Sequence, residues 1–217
     1  MFIQNFMRVF FHLLYHPFAF TYDLVAAAVS FGQWKNWIAE IIPFLDGKRI
    51  LELGHGPGHL QRALLDLGFD SAALDESAQM GRLAARRLGG RHQLARGLAQ
   101  NLPFADDSFD SVVSTFPTEY IFDPRALESI KRVLRDSGRL VILPVTFPKS
   151  GFLKWLYKIT GESPFDLSDT LQEKIKQPFI NVGFETQVKI IEVQSSALLV
   201  VIAKKIVSSQ QGNVPKA

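Results

Sequence analysis

Short apolar runs closed by glycine-rich or polar turns alternate with stretches of helical apolar spacing through the middle of the chain. Residues 49–53 (RILEL) read as a buried strand, followed by a glycine loop and a helix over 58–68. DSAALD (70–75) predicts a second strand, and SAQMGRLAARRL places apolar residues at 80, 83, 84 and 88, a helical spacing. RHQLA (91–95) is a weaker third strand and SFDSVVST (108–115) a fourth. DPRALESIKRVL offers Asp123 as a cap, Pro124 at the first helical position and a 3.6-residue apolar period. GRLVILPV is a fifth strand, entered through Ser137-Gly138. Helices are expected over 151–160 and 168–177, then FETQVKIIEVQ and SALLVVIAKK as two strands joined by a tight turn. The alternation predicts an α/β fold: a doubly wound, seven-stranded, largely parallel sheet with an antiparallel last strand.

The ends differ from this middle. Residues 1–45 read as a helical N-terminal segment, 46–207 as the α/β domain, and the polar stretch 208–217 as a disordered tail. The first 20 residues are rich in phenylalanine, yet Gln4, Asn5, Arg8, His12, His16 and Pro17 interrupt them too often for a spanning helix. A cleaved signal is disfavoured, because Arg8 is the only basic residue ahead of the small-residue run 26–28. If 2–16 is helical, Gln4, Arg8, His12 and His16 form one polar stripe and Phe2, Ile3, Phe6, Phe10, Phe11 and Leu14 lie on the rest. So wide an apolar face buries itself in the protein's own core, in a homodimer partner, or in a membrane interface or lipid-substrate channel. The expected location is cytoplasmic, with peripheral membrane contact through 2–16 as one of these alternatives.

Composition narrows the chemistry. The 217 residues suit one domain of ordinary soluble make-up, 47% apolar and 21% charged. A net charge of +3 is too small to argue for nucleic acid as a partner. Without cysteine there is no disulfide, thiolate ligand or cysteine nucleophile, and five scattered histidines give no reason to expect a metal. Arg82, Arg86, Arg87 and Arg91 read first as a solvated helix face, with a patch for an anionic partner as the lesser alternative.

ILELGHGPGHL (50–60) is the stretch with specific chemistry. A strand that runs into a glycine turn and then a helix presents free N–H groups and a positive dipole end to a ligand. The dinucleotide pattern GxGxxG is not met, because the glycines are Gly54, Gly56 and Gly58 and His59 takes the place of the third. NAD and FAD are therefore disfavoured. Asp75, 21 residues after Gly54, ends the next strand, where a carboxylate can accept both hydroxyls of a ribose.

ELGHGPG, LDES, NLPFADDSFDSVVSTF and RVLRDSGRLVIL, in that order, resemble the successive motifs of class I S-adenosylmethionine (SAM)-dependent methyltransferases, across roughly residues 20–205. The resemblance implies a Rossmann-like fold with SAM as cofactor. On the same footing, Glu52 holds the amino group of the methionine portion, and Gly54, Gly56 and Gly58 line that portion. Asp75 takes the ribose, with Glu76 and Thr115 grouped among the cofactor residues. Ala99 and Leu102 match adenine-pocket positions. The family's aspartate after Gly97 is Leu98 here, so one hydrogen bond of about 1 kcal/mol to the adenine amino group is missing. His55 is either a satisfied loop histidine or a contact to the cofactor's carboxylate.

By the same resemblance, STFPTEYIF (114–122) faces the methyl group. It lacks the Asn/Asp-Pro-Pro-aromatic pattern that grips planar nitrogens, which argues against protein-glutamine and DNA-adenine substrates. Glu119 and Tyr120 are its titratable groups and the catalytic candidates, with Glu119 either a general base or a helix cap. TYDLVAAAVSFGQWKNW resembles the opening segment of the ubiquinone/menaquinone-biosynthesis methyltransferases, with Tyr22, Asp23, Ser30, Gly32 and Trp37 in register. That family's asparagine is Ala26, and its aspartate after the third glycine is His59. The resemblance implies that residues 1–45 form a helical lid and substrate-entry segment, with Tyr22, Trp37 and Phe116 assigned to the substrate and lid. The expected activity is methyl transfer to a small hydrophobic acceptor such as a quinone precursor or lipid. The alternatives are a polar metabolite or RNA base as acceptor, or a methyltransferase-like protein that binds SAM without turnover.

Overall fold

A computed structural model describes residues 33–90, 93–148, 169–193 and 196–206. Tyr22, the stripe in 2–16, the helix expected over 151–160 and the tail from 208 lie outside the described residues.

Seven strands form one sheet: β1 Arg49–Leu53, β2 Asp70–Asp75, β3 Gln93–Arg96, β4 Phe109–Thr115, β5 Leu134–Pro148, β6 Phe184–Val193 and β7 Ser196–Lys205. Their order is β3-β2-β1-β4-β5-β7-β6. β1 to β5 pair in parallel, and β7 runs antiparallel to both β5 and β6. The helices are α1 Trp34–Ala39, α2 His59–Asp66, α3 Ala78–Leu88, α4 Pro124–Val133 and α5 Asp169–Asn181. The strand reversal between β1 and β4 opens a crevice at their carboxyl ends, where ligands bind in doubly wound sheets.

Strand alternation divides the core into two layers. Leu51, Leu53, Ala72, Leu74, Val112, Leu140 and Ile142 pack on one face with Leu127, Ile130 and Val133 of α4 and Phe179 of α5. Ile50, Val113, Val141, Leu143, Leu198 and Val200 pack on the other with Leu60 and Leu64 of α2 and Trp37, Ile38 and Ile41 of α1 and its exit. Glu52 shares the parity of Ile50 and so points to the α2 side, among apolar neighbours.

Polar pins fix the amino end of the sheet. The Asp110 carboxylate accepts from the backbone of Lys48 and Arg49 and from Arg135, which together hold it below the usual carboxylate range despite its partial burial. Asp123 caps α4 by accepting from Arg125 N at 2.9 Å. Two elements are longer than their apolar patterns suggest. β5 extends back to Leu134, through Ser137 at φ 63, because Phe109 of β4 pairs with Leu134, and forward to Pro148, because β7 continues to pair with it there. α5 continues past Pro178 to Asn181, carried by burial of Phe179.

Candidate functional site

The glycine loop closes over a cavity at the β1–β4 crevice. Its lining includes Glu52, Gly54, His55, Gly56, Asp75, Glu76, Leu98, Ala99, Thr115, Phe116 and Tyr120. Residues far apart in sequence thus converge on one wall system, the ends of β1, β2 and β4 and the turn after β3.

Asp75 organises the loop. One carboxylate oxygen accepts from Gly56 N at 2.9 Å and the other from Ser77 N at 2.8 Å. Each oxygen keeps a lone pair for a further donor, so a pair of vicinal hydroxyls fits without breaking either bond. Gly56 has φ +51, and a Cβ there would meet nothing within 4 Å. Glycine adopts that φ without strain, and the space in front of its backbone is the cavity.

Glu52 is 2% exposed. Its Oε2 has no hydrogen-bond partner, while the backbone and side chain of Gln61 bond to the carboxylate. Burial pushes its pKa from 4.5 to about 8, the Asp75 charge adds to the rise, and the Gln61 bonds oppose it. Gln61 is itself fully buried and tied to Ser71 Oγ at 2.8 Å. An orphaned carboxylate oxygen at a cavity wall is the partner a substituted ammonium would complete. With the open space at Gly56 and the ribose-ready Asp75, the residues present fit an amino-acid nucleoside such as SAM. Gln61 was not among the sequence candidates; a polar residue inside an apolar helical run was the available signal.

His55 is buried, and its Nδ1 lies 2.6 Å from Gly56 O, which places the proton on Nδ1. Burial lowers its pKa, with the Asp75 charge and backbone bonds pulling the other way. A neutral ring with its N–H committed to a carbonyl has no donor left for a carboxylate, so the satisfied loop histidine is the reading the geometry favours.

Tyr120 sits under Gly54. Its hydroxyl is 2.8 Å from Ser114 Oγ and 3.2 Å from Leu53 O, while Ser114 Oγ donates to the same carbonyl at 2.9 Å. A Cβ on Gly54, at φ +70, would fall 2.9 Å from the phenol oxygen. Phe116 adopts φ 50 and donates its N–H to Leu143 O at 2.7 Å, turning the chain along the cavity edge.

Four expected site residues lie outside the lining. Gly58, at φ +81, starts α2, and its missing Cβ would meet Ala84 Cβ at 3.0 Å, so it serves helix packing. Leu102 is 2% exposed in the core, with its N–H on Ser129 Oγ. Trp37 is buried and reaches the cavity through Phe116, at 6.5 Å between ring centroids. Glu119 is exposed at the start of the short 3-10 helix Glu119–Phe122, and Asp123 rather than Glu119 caps α4. Leu98 lines the cavity and is 55% exposed. Arg87, expected to be solvated, donates to Pro57 O in the glycine loop. Among the described residues no three His, Asp or Glu side chains converge as metal ligands would, and no helix is long and apolar enough to cross a membrane.

The methyltransferase domain family matches residues 51–142. A demethylmenaquinone methyltransferase of Thermobifida fusca is 33% identical over 67% of this chain and 67% of its own length. That of Paenarthrobacter aurescens is 36% identical over 63% of this chain and 55% of its own. The chain spans 55% to 62% of the length of three such relatives, those of P. aurescens, Renibacterium salmoninarum and Thermotoga maritima. A SAM-dependent methyltransferase structure from Methanosarcina mazei shares the fold at a TM-score of 0.56 and 22% identity, covering 77% of this chain and 98% of that one. With the strand order and the likeness to the T. fusca protein agreeing, the chain belongs to the class I SAM-dependent methyltransferase family.

Proposed function

We propose that this chain transfers the methyl group of SAM to a small lipophilic acceptor of the quinone-precursor kind. The observation that carries the cofactor half is the buried Glu52 carboxylate with an unpartnered Oε2 on the wall of a cavity that also holds Asp75 and the open face of Gly56. Glu52 binds the amino group, Gly54 and Gly56 admit the methionine portion, Asp75 takes the ribose hydroxyls, and Leu98 and Ala99 cover the base. When bound, SAM supplies an electrophilic methyl on a sulfonium.

The acceptor half rests on the wall after β4 and on the relatives. Among the described residues of that wall, Thr115, Phe116, Pro117, Thr118 and Tyr120 line the cavity, and Tyr120 is the titratable one. Its hydroxyl and that of Ser114 share two protons between two contacts with Leu53 O and one with each other, so Tyr120 is held as a positioning group. Such a wall aligns an acceptor and excludes water, and alignment alone is worth as much as ~7–11 kcal/mol. It suits a nucleophile that needs no strong base, such as an electron-rich hydroquinone carbon. Relatives named demethylmenaquinone methyltransferase and ubiquinone/menaquinone biosynthesis C-methyltransferase support that class. Residues 1–45 act as the lid; the cavity-lining Ile38 and the ring contact of Trp37 with Phe116 support this. The phenylalanine-rich face of 2–16 brings the lid to the lipid surface where such acceptors reside.

The test pairs calorimetry with SAM and S-adenosylhomocysteine to a labelled-methyl transfer assay on membrane lipid extracts. Binding with transfer into the lipid fraction is the expected result. Tight binding with no transfer to lipid or polar extracts would favour the non-catalytic alternative.

A further inference from the structure

Leu98 removes the acidic acceptor expected opposite the adenine amino group, and yet the same wall carries a second polar side chain. Gln100 lies two residues on, in the 3-10 turn Ala99–Asn101, and lines the cavity beside Leu98 and Ala99. Its Nε2 donates to Asp123 Oδ2 at 3.1 Å. Asp123 in turn receives Arg125 N at 2.9 Å and Arg125 Nη2 at 3.0 Å, so it is fixed at the start of α4.

These bonds decide which way the amide faces. Chiefly through the Arg125 side chain, the pKa of Asp123 is lowered to about 2, so the carboxylate accepts and does not donate throughout the working range. A flipped Gln100 would set its carbonyl oxygen against that anion. Nε2 therefore points to Asp123, and Oε1 is left as the acceptor with no protein donor among the described residues. The amide is pre-set, with its rotation blocked by a partner that is itself clamped.

From this geometry we infer that Gln100, aligned by Asp123, is the specificity-determining residue for the purine 6-amino group, reading it through Oε1 in place of the acid absent at Leu98. This rests on the SAM reading above and goes beyond it, since neither the motifs nor the family match assign Gln100 a role. Leu98 then supplies apolar cover to the ring, and the base contact moves from a charged to a neutral acceptor.

The test compares binding of S-adenosylhomocysteine with that of its analogue carrying hydrogen in place of the purine 6-amino group. The wild-type chain should prefer the amino compound by about 5- to 10-fold, one hydrogen bond's worth. Gln100→Leu should bring the ratio near one, by weakening the amino compound alone, at an unchanged melting temperature. Adding Leu98→Asp to that variant should restore the preference. A folded Gln100→Leu that keeps the wild-type ratio, or a wild-type chain with no preference, overturns the inference while leaving the cofactor reading intact. Failure of the wild-type chain to bind S-adenosylhomocysteine at all sinks both.

Discussion

Replacing Glu52 by glutamine should stabilise the cofactor-free protein and weaken its grip on SAM. Burial raises the Glu52 pKa from 4.5 to about 8 in the folded chain. For an acid raised in this way the unfolded chain loses its proton first, so stability falls as pH rises from 4.5 towards 8 and levels off above it. At about 1.4 kcal/mol per pH unit, the loss accumulated by pH 7 is about 3 kcal/mol. Glutamine, with no proton to lose, escapes that loss and keeps the shape. For a domain of this size the gain corresponds to a rise on the order of 5–10 °C in melting temperature. Calorimetric scans of both proteins at pH 5 and pH 8 check this: the gap should be small at pH 5 and wide at pH 8. A gap of equal size at both would refute the burial argument. Binding supplies a second readout, because a cationic amino group selects the ionised carboxylate. Below pH 8 wild-type binding should release a proton, visible as a dependence of the heat on buffer, and Glu52→Gln should release none.

Asp75→Ala should weaken SAM binding by about 1.5–3 kcal/mol through loss of charge-assisted bonds, and should also lower the melting temperature, since Gly56 N and Ser77 N lose their acceptor; isothermal calorimetry with an unchanged Kd would remove Asp75 from the site. Gly56→Ala should stay folded at a cost of about 1–2 kcal/mol for an L side chain at φ +51, since its Cβ meets nothing within 4 Å, yet bind SAM at least tenfold more weakly, about 1.4 kcal/mol, because that space belongs to the ligand. Gly58→Val should show the opposite division, a stability loss of roughly 2–6 kcal/mol from collision with Ala84 together with a β-branched residue at φ +81, and intact binding in the folded fraction, measured by urea titration. Deleting residues 2–16 should leave the domain folded and binding SAM while vesicle sedimentation falls; a large loss of melting temperature with no vesicle binding by the intact protein would refute the membrane role.

The sheet was legible because each strand is a compact apolar run and each helix keeps its period, and the closing hairpin was visible from two β-rich runs a turn apart. What the chain concealed was the difference between a residue that faces a ligand and one that lets the backbone pack. Gly56 and Gly58 look alike as letters, and only the position of Ala84 on the next helix separates them. Motif neighbours put Leu102 and Trp37 at the cavity, but Leu102 follows the turn after β3 into one core layer and α1 packs Trp37 into the other, where it meets the cavity only through Phe116. Gln61 and Gln100 escaped notice for a related reason. An amide earns its role from partners 9 and 23 residues away, at Glu52 and Asp123, which local patterning does not register.

The position of β7 between β5 and β6 bears on how the protein avoids self-association. β5 is 15 residues long, and β7 covers its free edge from Arg139 to Pro148, whereas β6 holds to the sheet through β7. The β6–β7 hairpin can form locally and then dock as a cap. Until it docks, or wherever a substitution such as Val201→Asp loosens it, a long apolar strand edge stands open to pair with another chain. Weakening the hairpin would therefore surface first as aggregation through the uncovered β5 edge, ahead of any change in the cofactor crevice.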